Sequence, residues 1–446
     1  MPTAMFSIGR SGLTASRTSL ELTSQNIANI ANPGFSRRSL VQSEVVGSAT
    51  IGLNSSDSFG GVRLSGIARA QSELVQRQAR DSGSALAHTA AELRALTAAE
   101  TALERTQLHD ALVGFEAALT RLESDPTSPP LRTGALESAR RLAGTFNTAS
   151  ETLANARRLT VGEAEADVLT INTLTDDLAR INRELVAARD GSAGKAALLD
   201  SRDAALRKLT DQLGITARFN DDGTVLVRAN GTPPTPLVEG GRRAEFSLTA
   251  ADDGTLAFAI DGAAFAPASG PMAGRAAALA AKAEVQIRLD ALASDLVTLV
   301  NTAQAAGSDL AGNPGQPVFA GTGAGDIAVV MTFGAGLATA PGGAPAGNRA
   351  TGNLAALLAA LASDAGPVAG ANTLLLQLSS RVAGLDLRRE GLSVVAASAQ
   401  NELMREVGVD LDTEAVSLVR LQQAFEANGR VIQVAAELFD TILALR

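Results

Sequence analysis

Cysteine, tryptophan and tyrosine are absent from this sequence, and all 13 of its aromatic residues are phenylalanine. Zero cysteine removes disulfides, thiolate metal sites and cysteine nucleophiles together. Without tryptophan or tyrosine there is no ready platform for stacking sugars, and base stacking is left to phenylalanine alone. Only His88 and His109 supply imidazole, so a zinc site would need carboxylates to complete it. Lysine is confined to Lys195, Lys208 and Lys282, and nearly all positive charge is arginine. The balance of 38 basic against 47 acidic residues leaves a net charge of −9, which disfavours binding to a phosphate backbone. The apolar run Leu354 to Ala362 falls far short of the roughly 18 residues that span a bilayer. No basic region followed by an apolar one opens the sequence, so no cleaved secretory signal, no membrane and no nucleic acid is expected.

What is present is helical periodicity at both ends, in a chain whose 446 residues suggest two to four domains. From Met5 to Ile30, Phe6, Leu13, Leu20 and Ile27 recur at seven-residue spacing. Ile8, Ala15 and Leu22 widen that stripe, and Gly9, Ser16 and Thr23 form a row of small side chains beside it. Asn32-Pro33-Gly34 then stops the helix. At the far end Leu411, Leu418, Phe425, Ile432 and Phe439 repeat the device, with Leu421, Ala435 and Ile442 behind them. Asp412 is the expected N-cap of this helix, with Glu414 in its first turn. Full burial of the five C-terminal heptad residues is worth about 1.5–3 kcal/mol each, a gain that a lone helix cannot realise. The partner is either the rest of the same chain, in a bundle core, or a neighbouring molecule.

Between the ends, leucines on one side of Gly61 to Glu104 and a 3-4 pattern from Val168 to Leu185 read as long helices. The period falls to two around Asn220-Asp221-Asp222-Gly223 and Ala251-Asp252-Asp253-Gly254, both hairpin turns. With 12 glycines and 4 prolines, residues 307–352 read as loop with short strands near Pro317 to Phe319 and Ile327 to Phe333. The expected class is mainly α with an inserted β domain: a discontinuous helical core built by N- and C-terminal coiled-coil helices, plus a small β lobe. The expected divisions are an axial helix and extended segment over 1–60, and a helical region over 61–214 pairing with 354–409. The β domain takes 215–270, a helix 271–306, the Gly/Pro-rich window 307–353, and the C-terminal axial helix 410–446.

Candidate chemistry is thin. Gly321-Thr322-Gly323-Ala324-Gly325 suggests a phosphate loop but leads into a strand-like run, whereas phosphate loops open helices. His109 and Asp110 are neighbours on a helix and point about 100° apart, so they do not form a dyad. Asp221-Asp222 and Asp252-Asp253 are explained as turns, and Asp176-Asp177 as a solvated face. No catalytic, cofactor or metal site is expected.

Ser7-Ile8-Gly9-Arg10-Ser11-Gly12-Leu13, Ser24-Gln25-Asn26-Ile27-Ala28-Asn29 and Pro33-Gly34-Phe35-Ser36-Arg37 closely resemble the N-terminus of bacterial axial flagellar proteins of the rod and hook class. Gly408-Val409-Asp410-Leu411-Asp412-Thr413-Glu414, Leu421-Gln422-Gln423-Ala424-Phe425 and Ala427-Asn428 resemble its C-terminus. The long helices and Leu198-Leu199-Asp200-Ser201-Arg202-Asp203 look like the hook-associated protein 1 branch of that class. Ala31-Asn32 departs from the usual Asn-Thr, and Phe35 and Phe425 stand where the class usually has tyrosine. The resemblance implies a structural protein, not an enzyme. Its implied partners are copies of itself, hook subunits below, the second junction protein or filament above, and an export chaperone at the C-terminal helix. It implies export through the flagellar type III apparatus to the hook–filament junction outside the cell. Both stripes, with Asn26, Asn29, Pro33, Gly34 and Phe35, are the residues expected to serve axial assembly. A hook or distal-rod subunit and an intracellular coiled-coil adaptor are the competing expectations.

Overall fold

The computed structural model describes residues 2–32, 34–45 and 60–444. Pro33 and the side chain of Ile442 lie outside the described residues. The chain divides into two compact units, one made of Met1–Ala85, Thr170–Phe246 and Leu392–Arg446, the other of Leu86–Leu169 and Ser247–Gly391. The division falls between Phe246 and Ser247, inside the stretch read from sequence as one β domain.

In the first unit, α1 (Pro2–Ala28) is followed by a hairpin of β1 (Arg38–Glu44) and β2 (Val62–Arg69). The helical reading from Gly61 onward is corrected here, because helix α2 (Glu73–Glu104) begins only after β2. Val62, Leu64 and Ile67 obey a strand's period of two once the bulge at Val41/Gln42 opposite Gly66 is counted. A Cβ on Gly66 would lie 2.8 Å from Gly191 Cα, and the Ile67 N–H donates to the Gly191 carbonyl at 3.0 Å. Helix α3 (Leu108–Ser124), a part of the second unit, and the 59-residue α4 (Pro129–Ala187), which belongs to the first unit only from Thr170 onward, follow. Pro129 and Pro130 begin α4, where their missing N–H groups cost nothing. Ser192 caps α5 (Ala193–Thr210) by accepting the Lys195 N–H at 3.1 Å.

Strands β3 (Ile215–Phe219) and β4 (Val225–Ala229) form the first expected hairpin. The sheet continues through β6 (Thr235–Glu239) to β7 (Arg242–Arg243), with the short β5 (Gly231–Thr232) lying between β4 and β6 in the chain. Asn182 of α4 is fully buried and clamps this sheet, donating to the Val225 and Gly240 carbonyls and accepting the Val225 N–H.

In the second unit, β8 (Phe246–Ala250) and β9 (Leu256–Ile260) form the other expected hairpin, and β10 (Ala263–Pro267) adds an antiparallel neighbour to β9. Helix α6 (Gly270–Ala306) begins one residue before the expected 271, with Pro271 in its first turn, where a missing N–H costs nothing. One apolar core joins Leu96, Leu112, Phe115, Leu142, Phe146, Leu289 and Leu296 with Leu357 of α7 (Gly352–Leu361) and Leu378 of α8 (Pro367–Val407). The Gly/Pro-rich window closes over this core rather than standing away from it, burying Val318, Phe319, Ile327 and Leu337. Two minimal ladders shape it: β11 (Gly307–Ser308) with β14 (Ala340–Pro341), and β12 (Phe319–Ala320) with β13 (Ala328–Val329). Buried Arg132 ties the window down, donating to the Pro126 carbonyl at 2.6 Å, the Leu337 carbonyl at 2.7 Å and Thr339 Oγ1 at 3.1 Å. The chain ends with α9 (Leu411–Ala444), back in the first unit.

Candidate assembly surface

Helices α1 and α9 pack antiparallel along their length, and the row that meets is the small one. A Cβ on Gly9 would lie 2.8 Å from Ile432 Cγ1, and one on Gly12 would lie 2.5 Å from Asn428 Oδ1. Asn428 Nδ2 reaches Ser16 Oγ at 3.4 Å while donating to its own helix at the Ala424 carbonyl. Ala15, Ser16, Leu22, Thr23 and Asn26 are buried on α1, and Glu414 and Ala435 on α9. Close backbone approach is what small residues permit, and here they set the seam.

Of the heptad stripes read from sequence, Ile432 enters this seam against Gly9, whereas the large exposed members stand beside it and face outward. On α1, Phe6 is 47% exposed, and Leu13, Leu20 and Ile27 are half-buried. On α9, Leu411 is 52%, Phe425 37% and Phe439 48% exposed, while Leu418, Leu421 and Ile432 are half-buried. Val416, Val419, Val434 and Leu438 extend the exposed apolar surface of α9. The pairing within one chain therefore leaves most of the predicted burial unrealised. The cap of α9 is Asp410 rather than Asp412: Asp410 Oδ1 accepts the Thr413 N–H at 2.7 Å, and that hydrogen bond holds its carboxyl below the usual range. Asp412 instead sits in the first turn with Glu414.

The motif after α1 works as a joint. Asn26 accepts the Arg38 N–H at 3.0 Å and donates to the Arg38 carbonyl at 2.9 Å, standing in for a missing strand. Asn29 turns back on its own helix to the Gln25 carbonyl. The Gly34 N–H is held by Asn32 Oδ1, and a Cβ on Gly34 would stand 2.6 Å from Arg207 Nη2. Phe35 lies under the Arg38 guanidinium, 4.9 Å from its ring centre. The Arg37 N–H is taken by the Val407 carbonyl at the end of α8.

Asp200 and Asp203 of α5 hold the hairpin in place. Asp200 pairs with Arg38 at 2.5 Å and Arg69 at 2.7 Å; Asp203 pairs with Arg69 at 2.7 Å and Arg202 at 2.8 Å. Burial opposes the charge on Asp203, but the guanidinium groups of Arg202 and Arg69 outweigh it and keep its carboxyl below the usual range. Sequence reasoning quoted the Asp200-Ser201-Arg202-Asp203 run without a role; the acid–base alternation was its visible signal.

No catalytic arrangement emerges among the described residues. Within the Gly321 loop the Thr322 and Gly323 N–H groups are taken by Asp326, and the Ala324 N–H by Asp290, so the loop fills its own anion cradle. Asp222 and Asp253 accept from Thr224 and Thr255 as turn residues. Among the described residues no group of three or more His, Asp or Glu could hold a metal ion, and no helix is long and apolar enough to cross a membrane.

A family model for the flagellar hook-associated protein FlgK helical domain matches residues 96–319, half of the 446-residue chain. The chain belongs to this family. A second model, for the C-terminal region of flagellar basal body rod FlgEFG proteins, matches residues 400–445. Flagellar hook-associated protein 1 of Bacillus subtilis (strain 168) is 24% identical over 238 residues, covering 52% of this chain and 47% of that protein. Its namesake in Salmonella typhimurium is 25% identical over 227 residues, 50% of this chain and 40% of that protein. The chain thus matches less than half the length of these relatives. The structure of the flagellar hook junction protein FlgK from Burkholderia pseudomallei aligns with a TM-score of 0.48 at 21% identity, covering 56% of this chain and 46% of that one. Within the family frame, the rod-type match covers α9, whose pairing with α1 forms the surface described above.

Proposed function

We propose that this FlgK-family chain is a structural subunit of the bacterial flagellum, joining hook to filament by polymerising through its paired terminal helices. The single observation that carries the reading is the outward-facing stripe of Phe6, Phe425 and Phe439 beside a seam that has already closed. Such a stripe gains burial only from another molecule. Leu13, Leu20, Ile27, Leu411, Leu418 and Leu421 extend the same assembly face, Ile432 supports it from the seam against Gly9, and Ile442 is assigned to it by sequence spacing alone. The partners are copies of this chain, hook subunits below and the second junction protein or filament above, with an export chaperone on α9 beforehand. Contacts of this kind that do not close on themselves build tubes. The chain acts outside the cell, after export through the flagellar type III apparatus, and carries out no catalysis. The FlgK helical-domain match, together with the length of α2 to α4, favours this place over a hook or distal-rod subunit.

A strain whose gene stops before Asp412 tests the reading. Hooks without attached filaments, and loss of swimming, are the expected result. Filaments still held on the truncated protein would contradict it.

A further inference from the structure

Between the joint after α1, the start of α2, α5 and the end of α8 lies a cavity of about 330 Å³ within the first unit. Phe35, Leu206 and Met404 give it an apolar side; Arg69, Arg80 and Arg207 give it a basic one. Two of those cations are incompletely matched. Arg80 Nη2 and Arg69 Nη1 are buried and find no hydrogen-bond partner among the described residues. Asp203, the acid that acts most strongly on Arg80, is already engaged by Arg69 and Arg202. Burial accordingly lowers the pKa of Arg80 despite Asp203. Buried donors without partners are rare and call for an acceptor. The chemistry this cavity selects is a carboxylate carried on an apolar surface.

The far end of α9 has that character. Beyond Arg430 the helix carries Glu437 and Asp440 and no basic residue up to Ala444. Val434, Glu437 and Leu438 are spaced to share one face, and both apolar members of that trio are exposed. This tip cannot reach the cavity of its own molecule. The cavity wall includes Met404 and Val407, just before α9 begins at Leu411, and 27 residues of helix carry Leu438 about 40 Å away.

We propose that the cavity beside Arg80 receives the Glu437–Leu438 end of α9 from a second copy of this chain. The proposal rests on the assembly reading above and sharpens it, naming the two patches that meet. They are different surfaces about 40 Å apart, so the contact is head-to-tail and adds copies without closing a dimer. The Glu437 carboxylate is drawn to the cluster of Arg69, Arg80 and Arg207 on the cavity wall, and Leu438 lies against Phe35 and Met404.

The natural absence of cysteine makes the test clean. Full-length chains bearing Met404→Cys and Leu438→Cys singly are mixed at concentrations where light scattering shows association, then oxidised. Disulfide-linked heterodimers should exceed either homodimer at least ten-fold. The excess should fall at least ten-fold when the first chain also carries Arg80→Glu, and return when the second then carries Glu437→Arg. Association without any heterodimer excess overturns the docking while leaving assembly standing. An excess indifferent to both charge changes overturns the role of Arg80. Absence of association at any concentration overturns the assembly reading, and the docking with it.

Discussion

Gly12 and Asn428 touch so closely that a Cβ on the glycine would stand 2.5 Å from the amide oxygen. Two helices from opposite ends of the chain depend on that approach. Gly12→Leu overpacks the seam, at a cost of about 1–3 kcal/mol. Hydrogen exchange should accelerate across 2–28 and 411–444, while α6 in the second unit keeps its protection. Unchanged exchange in α1 and α9 would show that the seam tolerates bulk.

Among the described residues Arg132 has no carboxylate in hydrogen-bond reach; it donates to carbonyls and to Thr339 Oγ1. Arg132→Met keeps the aliphatic stem but leaves the Pro126 and Leu337 carbonyls unpaired, at about 1–3 kcal/mol for each buried orphan. Protease cleavage inside 307–353 should become the first cut. A digestion pattern identical to that of the parent would contradict the anchoring role.

Lys282 is buried between α4 and α6, where Nζ donates to the Ala156 carbonyl at 2.9 Å and to Thr160 Oγ1 at 2.7 Å. Burial lowers its pKa from 10.5 to about 8, with Glu163 opposing and Arg157 assisting. Below pH 8 both folded and unfolded chains hold the proton, and the folded one bears the cost of a buried charge. Between pH 8 and 10.5 the unfolded chain binds more protons, so stability rises with pH, by at most about 3 kcal/mol. In Lys282→Met the rise should vanish from denaturation curves compared at pH 7 and pH 10. Parallel pH profiles for the two proteins would rule out this source.

How far these features could be read in advance depended on range. The terminal helices were legible because their heptads are local and long. Two hairpins were legible from Asp-Gly turns, yet the same signal at Asp261-Gly262, where both residues take positive φ and join β9 to β10, went unread beside its stronger neighbours. Strand β2 was hidden because its partner β1 lies across residues 46–59, and Ala-rich sequence downstream extends a helical pattern over it. The seam itself was half legible. The small row of Gly9, Ser16 and Thr23 was visible, but periodicity alone cannot say which row of a helix faces inward and which faces a neighbour. The Asn26–Arg38 clamp and the pairs that Asp200 and Asp203 make with Arg38 and Arg69 join residues 12 to 162 apart, distances over which spacing rules carry no information.

The central claim is that the stripe beside the closed α1–α9 seam drives self-association. Sedimentation velocity of the full chain over a hundred-fold concentration range, against a Phe6→Ser, Phe425→Ser, Phe439→Ser variant, tests it most directly. The parent should shift to larger species as concentration rises, while the variant stays monomeric with an unchanged melting curve. Equal association of both proteins, or a parent that remains monomeric throughout, would contradict the account.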